Sequence, residues 1–227
     1  MTTALLTEVD ARSLLGRLEA AFVDGHLHAW AQWRRFQALC DAADATDLYL
    51  PLTATTRANF LNNHCVERVV TLLEPLLDPA AVRVTDAAGF TCVLVMDGKR
   101  AALVRFKLLD RDLRTRNVAT GRQLNFDRQE WDSELLIELE IPGAVEPTGI
   151  TCGYVLAKDE TAIESIYLIC KQNGTTEWAY SIHGERKDVV VDIPLPDAPP
   201  RTARVVSKRA RRKSSDEKKG AESDGEA

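Results

Sequence analysis

Histidine and cysteine side chains are the first candidates for catalysis or metal binding in this sequence. His26 and His28 follow Asp24, and His64 directly precedes Cys65. On a helix, His26 and His28 would point about 200° apart and the neighbours His64 and Cys65 about 100° apart. The sequence has no zinc-binding array, no Gly-x-Ser-x-Gly motif and no phosphate-binding glycine loop. We therefore expect no cofactor, metal centre or catalytic cysteine, and we interpret the histidines as surface or helix-end residues and the cysteines as small core residues.

A set of acids, a lysine and a glutamine suggests a second kind of chemistry between residues 55 and 131. In chain order they are Glu67 on a predicted helix, Asp86 and Asp97 in a predicted hairpin, Lys107 on a strand and Gln123 on a polar helix. Their order resembles the metal-dependent PD-(D/E)XK nuclease core. In that family, an acid two residues before the lysine shares its strand face and holds a divalent cation beside the attacking water. Arg105 occupies that position and cannot ligate a cation, so the resemblance implies a degenerate nuclease, or an active one that relies on Asp97 and Lys107.

Positive charge is concentrated in residues 99–128, although the whole chain has a net charge of −5. This basic island contains nine Lys or Arg residues and three Asp residues. Arg105 and Lys107 alternate with apolar residues along a predicted strand, which places both cations on one sheet face. The cations that continue the island are Arg111, Arg114, Arg116, Arg122 and Arg128. We expect this surface to contact nucleic acid or a partner protein; pairing with the protein's own carboxylates is the alternative.

The carboxyl-terminal segment carries a second basic run. Its cations are Lys208, Arg209, Arg211, Arg212 and Lys213. Residues 198–227 contain too few apolar side chains to offset the entropy of ordering the backbone, so the composition predicts a disordered tail. A flexible cationic run would add sequence-independent affinity for nucleic acid by releasing counterions.

Hydrophobic periodicity predicts helices in residues 1–78. Thr7 is suited to cap a first helix that ends at Asp24-Gly25. A second helix is expected over residues 27–40, and a third from Thr55 or Thr56 to Pro75.

Strands dominate the prediction for residues 79–197. Asp97-Gly98 and Asn173-Gly174 are typical of tight hairpin turns. Between these hairpins we expect a short helix over residues 122–131 and strands near residues 135–141 and 150–156. Residues 188–193 favour an edge strand.

These patterns predict a single α+β domain over residues 1–197, with amino-terminal helices followed by a mostly antiparallel sheet. No apolar stretch approaches the roughly 20 residues that a membrane helix needs, and we expect a cytoplasmic protein. The leading functional hypothesis is a non-enzymatic regulator of bacterial or phage type. The alternatives are the nuclease and a toxin–antitoxin subunit that uses the aromatic helix around Trp30, Trp33 and Phe36 as its interface.

Overall fold

The computed structural model of the chain describes residues 4–42, 53–78, 80–87, 90–116, 120–141 and 145–184. The helices are α1 (Glu8–Leu15), α2 (Glu19–Ala42), α3 (Ala54–Leu73), α4 (Gly121–Arg128) and α5 (Ser133–Glu138). The strands are β1 (Val82–Ala87), β2 (Phe90–Asp97), β3 (Arg100–Leu109), β4 (Thr148–Leu156), β5 (Ile163–Gln172) and β6 (Thr175–His183). Helices thus precede a six-stranded, mostly antiparallel sheet, which confirms the predicted α+β class.

The amino-terminal helices have the predicted cap at Thr7, but not every predicted helix end. Thr7 caps α1, as expected, and Thr53 caps α3. The prediction that Asp24-Gly25 ends a helix is wrong, because α2 runs through this dipeptide. A Cβ atom on Gly25 would lie 2.5 Å from Cγ2 of Val69 on α3. The glycine is therefore in mid-helix because α2 and α3 pack closely at that point.

Strand order in the sheet is β1-β2-β3-β4-β5-β6. The two predicted hairpins are present as β2–β3 and β5–β6, and Asn173 and Gly174 both have the positive φ of a type I′ turn. Only β3 and β4 pair in parallel among the described strands. Parallel neighbours need a crossover connection, and here the crossover contains α4 and α5.

The predicted strand near residues 135–141 is wrong, because residues 133–138 form α5. Asp132 caps this helix by accepting a hydrogen bond from the Leu135 amide at 2.7 Å. Leu135 and Leu139 are buried, whereas Ile137 is 75% exposed. The burial thus follows the i, i+4 spacing of a helix.

Side chains on both sheet faces are covered by helices. The first face, which includes Val104 and Phe106, packs against α1, α2 and α3. The opposite face, which includes Leu103, packs against Phe126 of α4 and Leu135 of α5. The fold is a three-layer arrangement, so side chains that alternate along β3 enter two different interiors.

Several predictions concern residues outside the described ranges. These are the edge strand at residues 188–193 and the tail at residues 198–227 with its basic run. Among the helices that the structure describes, none is both long and apolar enough to cross a membrane.

A candidate binding surface on the crossover helix

Arg105 lies inside the protein. Its side chain is fully buried; Nε donates a hydrogen bond to Oγ1 of Thr151 at 3.0 Å, and Nη2 donates to Oδ1 of Asp127 at 2.5 Å. The guanidinium also stacks on Phe126, 4.0 Å from the ring centroid. Burial lowers the pKa of Arg105, and the Asp127 charge opposes that shift. Contrary to the expectation from the sequence, Arg105 has no exposed surface to offer a phosphate, because α4 covers its side of the sheet.

Two lysines lie near the Arg105–Asp127 pair. Desolvation, together with the charge of Arg105, lowers the pKa of Lys107 to about 8. Lys171, at the end of β5, is also buried, and this burial lowers its pKa although Asp127 opposes the shift. Asp127 is therefore surrounded by more positive than negative charge.

The acids of the nuclease resemblance do not converge on Lys107. The elements do follow the expected order, from α3 through β1, β2 and β3 to α4. Asp97, however, lies at the β2–β3 turn, where it pairs with Arg100. At 3.3 Å per residue, Arg100 is about 23 Å along the strand from Lys107. Asp86 is exposed and accepts a hydrogen bond from Thr91. No group of three or more His, Cys, Asp or Glu side chains in the described ranges is arranged to hold a metal ion.

Ion pairs divide the basic island into two sets. Besides Arg105, three of its arginines pair with carboxylates, namely Arg100, Arg111 and Arg116. Within the part of the chain that the structure describes, Arg114, Arg122 and Arg128 have no carboxylate within 4.0 Å of their charged nitrogens. Internal pairing, the alternative considered from the sequence, thus accounts for part of the island.

Arg111 and Arg116 lie at a cleft of about 460 Å³ beyond the carboxyl ends of β3 and β4, which we call the strand-end cleft. Arg111 is 3.2 Å from Glu164, and Arg116 is 3.1 Å from Glu160. Glu160 also accepts from Arg57 at 2.6 Å, and these hydrogen bonds lower the pKa of Glu160. Asp110 and Asp112 line the cleft as well, so its charges are of both signs.

Arg122, Asn125 and Arg128 form the exposed side of α4. They are spaced three residues apart, and all three are exposed, whereas Gln123, Phe126 and Asp127 are buried beneath them. Because the buried residues also recur at helical spacing, α4 has one inner and one outer side. The outer side carries two arginines and no acid.

Hydrogen bonds fix α4 at both ends. Thr120 caps its start, and Gln123 donates to Oγ1 of Thr115 in the preceding loop. At the other end, Gln129 accepts from the Gly149 amide at 2.6 Å and donates to the Lys171 carbonyl at 2.7 Å. The outer side of α4 is therefore held on a rigid support.

Arg114 adjoins this helix. It precedes Thr115 and is close enough to Lys171 for the two positive charges to interact. Its loop is ordered by Asp110, whose Oδ1 accepts from the Arg114 amide at 2.8 Å. We call Arg114, Arg122, Asn125 and Arg128 together the α4 surface.

The aromatic helix does not offer the interface considered for a toxin–antitoxin subunit. Trp30 and Trp33 are buried in the main core, and Phe36 is partly buried against it. Trp33 contacts Phe60 of α3 with ring centroids 5.5 Å apart. These aromatic side chains join α2 to α3 rather than facing solvent.

His26 is buried, contrary to its interpretation as a surface residue. It lies between Cys65 and Cys152, which are 39 and 126 residues away in the sequence. The prediction of buried cysteines is confirmed for Cys65, Cys92, Cys152 and Cys170. No local sequence signal brings these three residues together, because they come from α2, α3 and β4.

Comparison with known proteins finds no protein-family model, curated protein or solved structure that matches this chain.

Proposed function

We propose that the protein is a non-enzymatic nucleic-acid-binding protein that contacts the phosphate backbone with the α4 surface. The supporting observation is the separation of charge on α4. Its single carboxylate, Asp127, points inward to Arg105, while Arg122 and Arg128 lie on the outer side. A surface with charge of one sign attracts a polyanion more strongly than the net charge of −5 suggests.

The arrangement of these arginines suits phosphate contacts. Arg122 and Arg128 are six residues apart, about 9 Å along the helix axis, so each guanidinium can reach a different phosphate and bind it bidentately. Arg122 also lies in the first turn of α4, where the helix dipole adds positive potential. Because a cation is unfavourable at the amino-terminal end of a helix, a phosphate bound beside Arg122 would relieve this repulsion.

The strand-end cleft is a weaker candidate for phosphate binding. A phosphate there would meet Glu160 and Asp112 as well as Arg111 and Arg116. Like charges oppose binding at short range. The mixed charges of this cleft favour internal pairing, which makes it a suitable control surface.

The test compares two pairs of substitutions in the full-length chain. Arg122→Ser with Arg128→Ser alters the α4 surface, and Arg111→Ser with Arg116→Ser removes the same charge from the strand-end cleft. Both pairs are made in a background in which the cations of the run at residues 208–213 are replaced by serine, so that this run cannot mask the loss. Binding to duplex DNA and to single-stranded RNA is measured from 20 to about 200 mM salt.

We expect the α4 pair to weaken binding and to flatten the slope of log K against log salt by up to about 0.9 per lost contact on duplex DNA. The control pair should change the slope less. An equal loss in both pairs would overturn the assignment to α4. If the parent protein binds neither DNA nor RNA at low salt, nucleic-acid binding itself is wrong and the α4 surface is left to a partner protein.

A further inference from the structure

A second cleft opens between α3 and β3, on the sheet face opposite α4. Its volume is about 220 Å³. Its inner wall is formed by His26, Cys65, Phe106 and Tyr154, and Asn59 and Asn62 lie at exposed positions of α3. Protein interiors contain few voids larger than a water molecule, so a space of this size next to several polar groups is a feature of binding sites.

His26 is fixed at the inner wall of this cleft, which we call the α3–β3 cleft. Its Nδ1 is 3.3 Å from Sγ of Cys65, and its Nε2 is 3.5 Å from Sγ of Cys152. The two thiols lie at opposite nitrogens of the ring, so one metal ion could not bind all three side chains. Because both nitrogens have protein partners, the ring presents its face and edge, rather than a free nitrogen, to the cleft.

The inner wall is uncharged at neutral pH. Burial lowers the pKa of His26 to about 3, and burial raises the pKa values of the Cys65 thiol and the Tyr154 phenol. Lys107 also borders the cleft, but its position in β3 alternates with Phe106, and its charge lies with Arg105 and Asp127 on the opposite sheet face. An ionised ligand against the inner wall would therefore lose its hydration without gaining an ion pair. The cleft therefore selects against charged molecules.

Aromatic rings define the shape of the inner wall. The His26 ring lies 5.8 Å from the Phe106 ring and 5.2 Å from the Tyr154 ring, measured between centroids. Aromatic groups favour stacked or edge-on contact with another ring. The Tyr154 hydroxyl and the two asparagine amides can in addition form hydrogen bonds with a polar edge of the ligand.

We propose that the α3–β3 cleft binds an uncharged, planar aromatic molecule of about the size of indole. An apolar cavity of about 150 Å³ accepts benzene, and this cleft is roughly one and a half times as large. The proposed ligand site is independent of the α4 surface, since the two lie on opposite sides of the sheet.

The test uses the full-length chain with indole as the probe. Ala58 lines the cleft, so Ala58→Leu places a larger side chain in it. Ala31→Leu makes the same change at an exposed position of α2 and serves as the control. We expect saturable binding by calorimetry to the parent and the control, and at least about tenfold weaker binding to Ala58→Leu. Equal affinity of both variants, or no saturable binding to the parent, would overturn the proposal.

A second measurement does not depend on the folding of a variant. In methyl NMR spectra of the unmodified protein, indole should shift the resonances of Leu61 and Leu108, which line the cleft, and leave those of Leu135 and Leu139 unchanged. Benzamide should bind more tightly than benzoate, which has a similar shape but carries a charge. Shifts restricted to Leu135 and Leu139, or a preference for benzoate, would refute the proposed site.

Discussion

The Arg105–Asp127 pair allows a quantitative test of how the α4 layer is held on the sheet. Arg105 is 0% exposed and Asp127 is 6% exposed, so water can compensate neither charge when its partner is removed. Asp127→Asn keeps the shape of the side chain and an oxygen that can accept the Arg105 hydrogen bond. Asp127→Ala removes both the charge and the acceptor.

Removing one partner of a buried ion pair typically costs about 3–5 kcal/mol. We expect Asp127→Asn to lower the free energy of unfolding by about 3 kcal/mol, because a neutral acceptor remains. Asp127→Ala should lower it by about 5 kcal/mol. Glu164→Gln is the matched control, because it neutralises an acid in the half-exposed pair with Arg111. Exposed pairs contribute less than about 1 kcal/mol.

Urea unfolding at pH 7, followed by circular dichroism, measures these changes in the free energy of unfolding. A cost for Asp127→Asn no larger than that for Glu164→Gln would refute the argument from burial. The double variant Arg105→Met with Asp127→Leu, measured with its two matching single variants, provides the coupling energy. It should be more stable than Asp127→Ala, since it removes both charges and refills the space with apolar groups.

Two further predictions concern α2. His26 is neutral in the folded protein because burial lowers its pKa to about 3, whereas its unfolded pKa is near 6.5. The unfolded chain therefore binds the proton first as the pH falls. The free energy of unfolding should decrease between about pH 6.5 and 3 by up to roughly 1.4 kcal/mol per pH unit. Urea unfolding at several pH values should show that the free energy of unfolding depends less steeply on pH in His26→Leu than in the parent. Gly25→Ala should lower stability by about 1–3 kcal/mol, because the new Cβ would lie 2.5 Å from Cγ2 of Val69; a higher thermal midpoint than that of the parent would contradict this packing argument.

Local signals in the sequence were sufficient where the structure depends on neighbouring residues. Thr7 accepts a hydrogen bond from the Asp10 amide, and Asn173-Gly174 forms its turn within the hairpin. The strand predicted near residues 135–141 is wrong although apolar and acidic residues alternate over residues 137–141, which is the pattern of a strand. The cap at Asp132 was the contrary signal, and only the helix explains why Ile137 is exposed.

Contacts between distant residues account for what the sequence could not predict. Alternation along β3 indicated correctly that Arg105 and Phe106 face opposite sides of the sheet, but it could not indicate that α4 would cover the Arg105 side. That cover depends on Asp127, which is 22 residues further along the chain. The environment of His26 likewise depends on two cysteines from other elements.

The buried pair also explains how an acidic protein can present a cationic helix. If Asp127 faced solvent, it would lie beside Arg128 and offset part of its charge. Its hydrogen bond to Arg105 keeps the acid inside, so burying one arginine leaves the charges of Arg122 and Arg128 outside. Substitutions at Asp127 should therefore alter both stability and binding. Substitutions at Arg122 and Arg128, which are exposed, should alter binding with little change in stability.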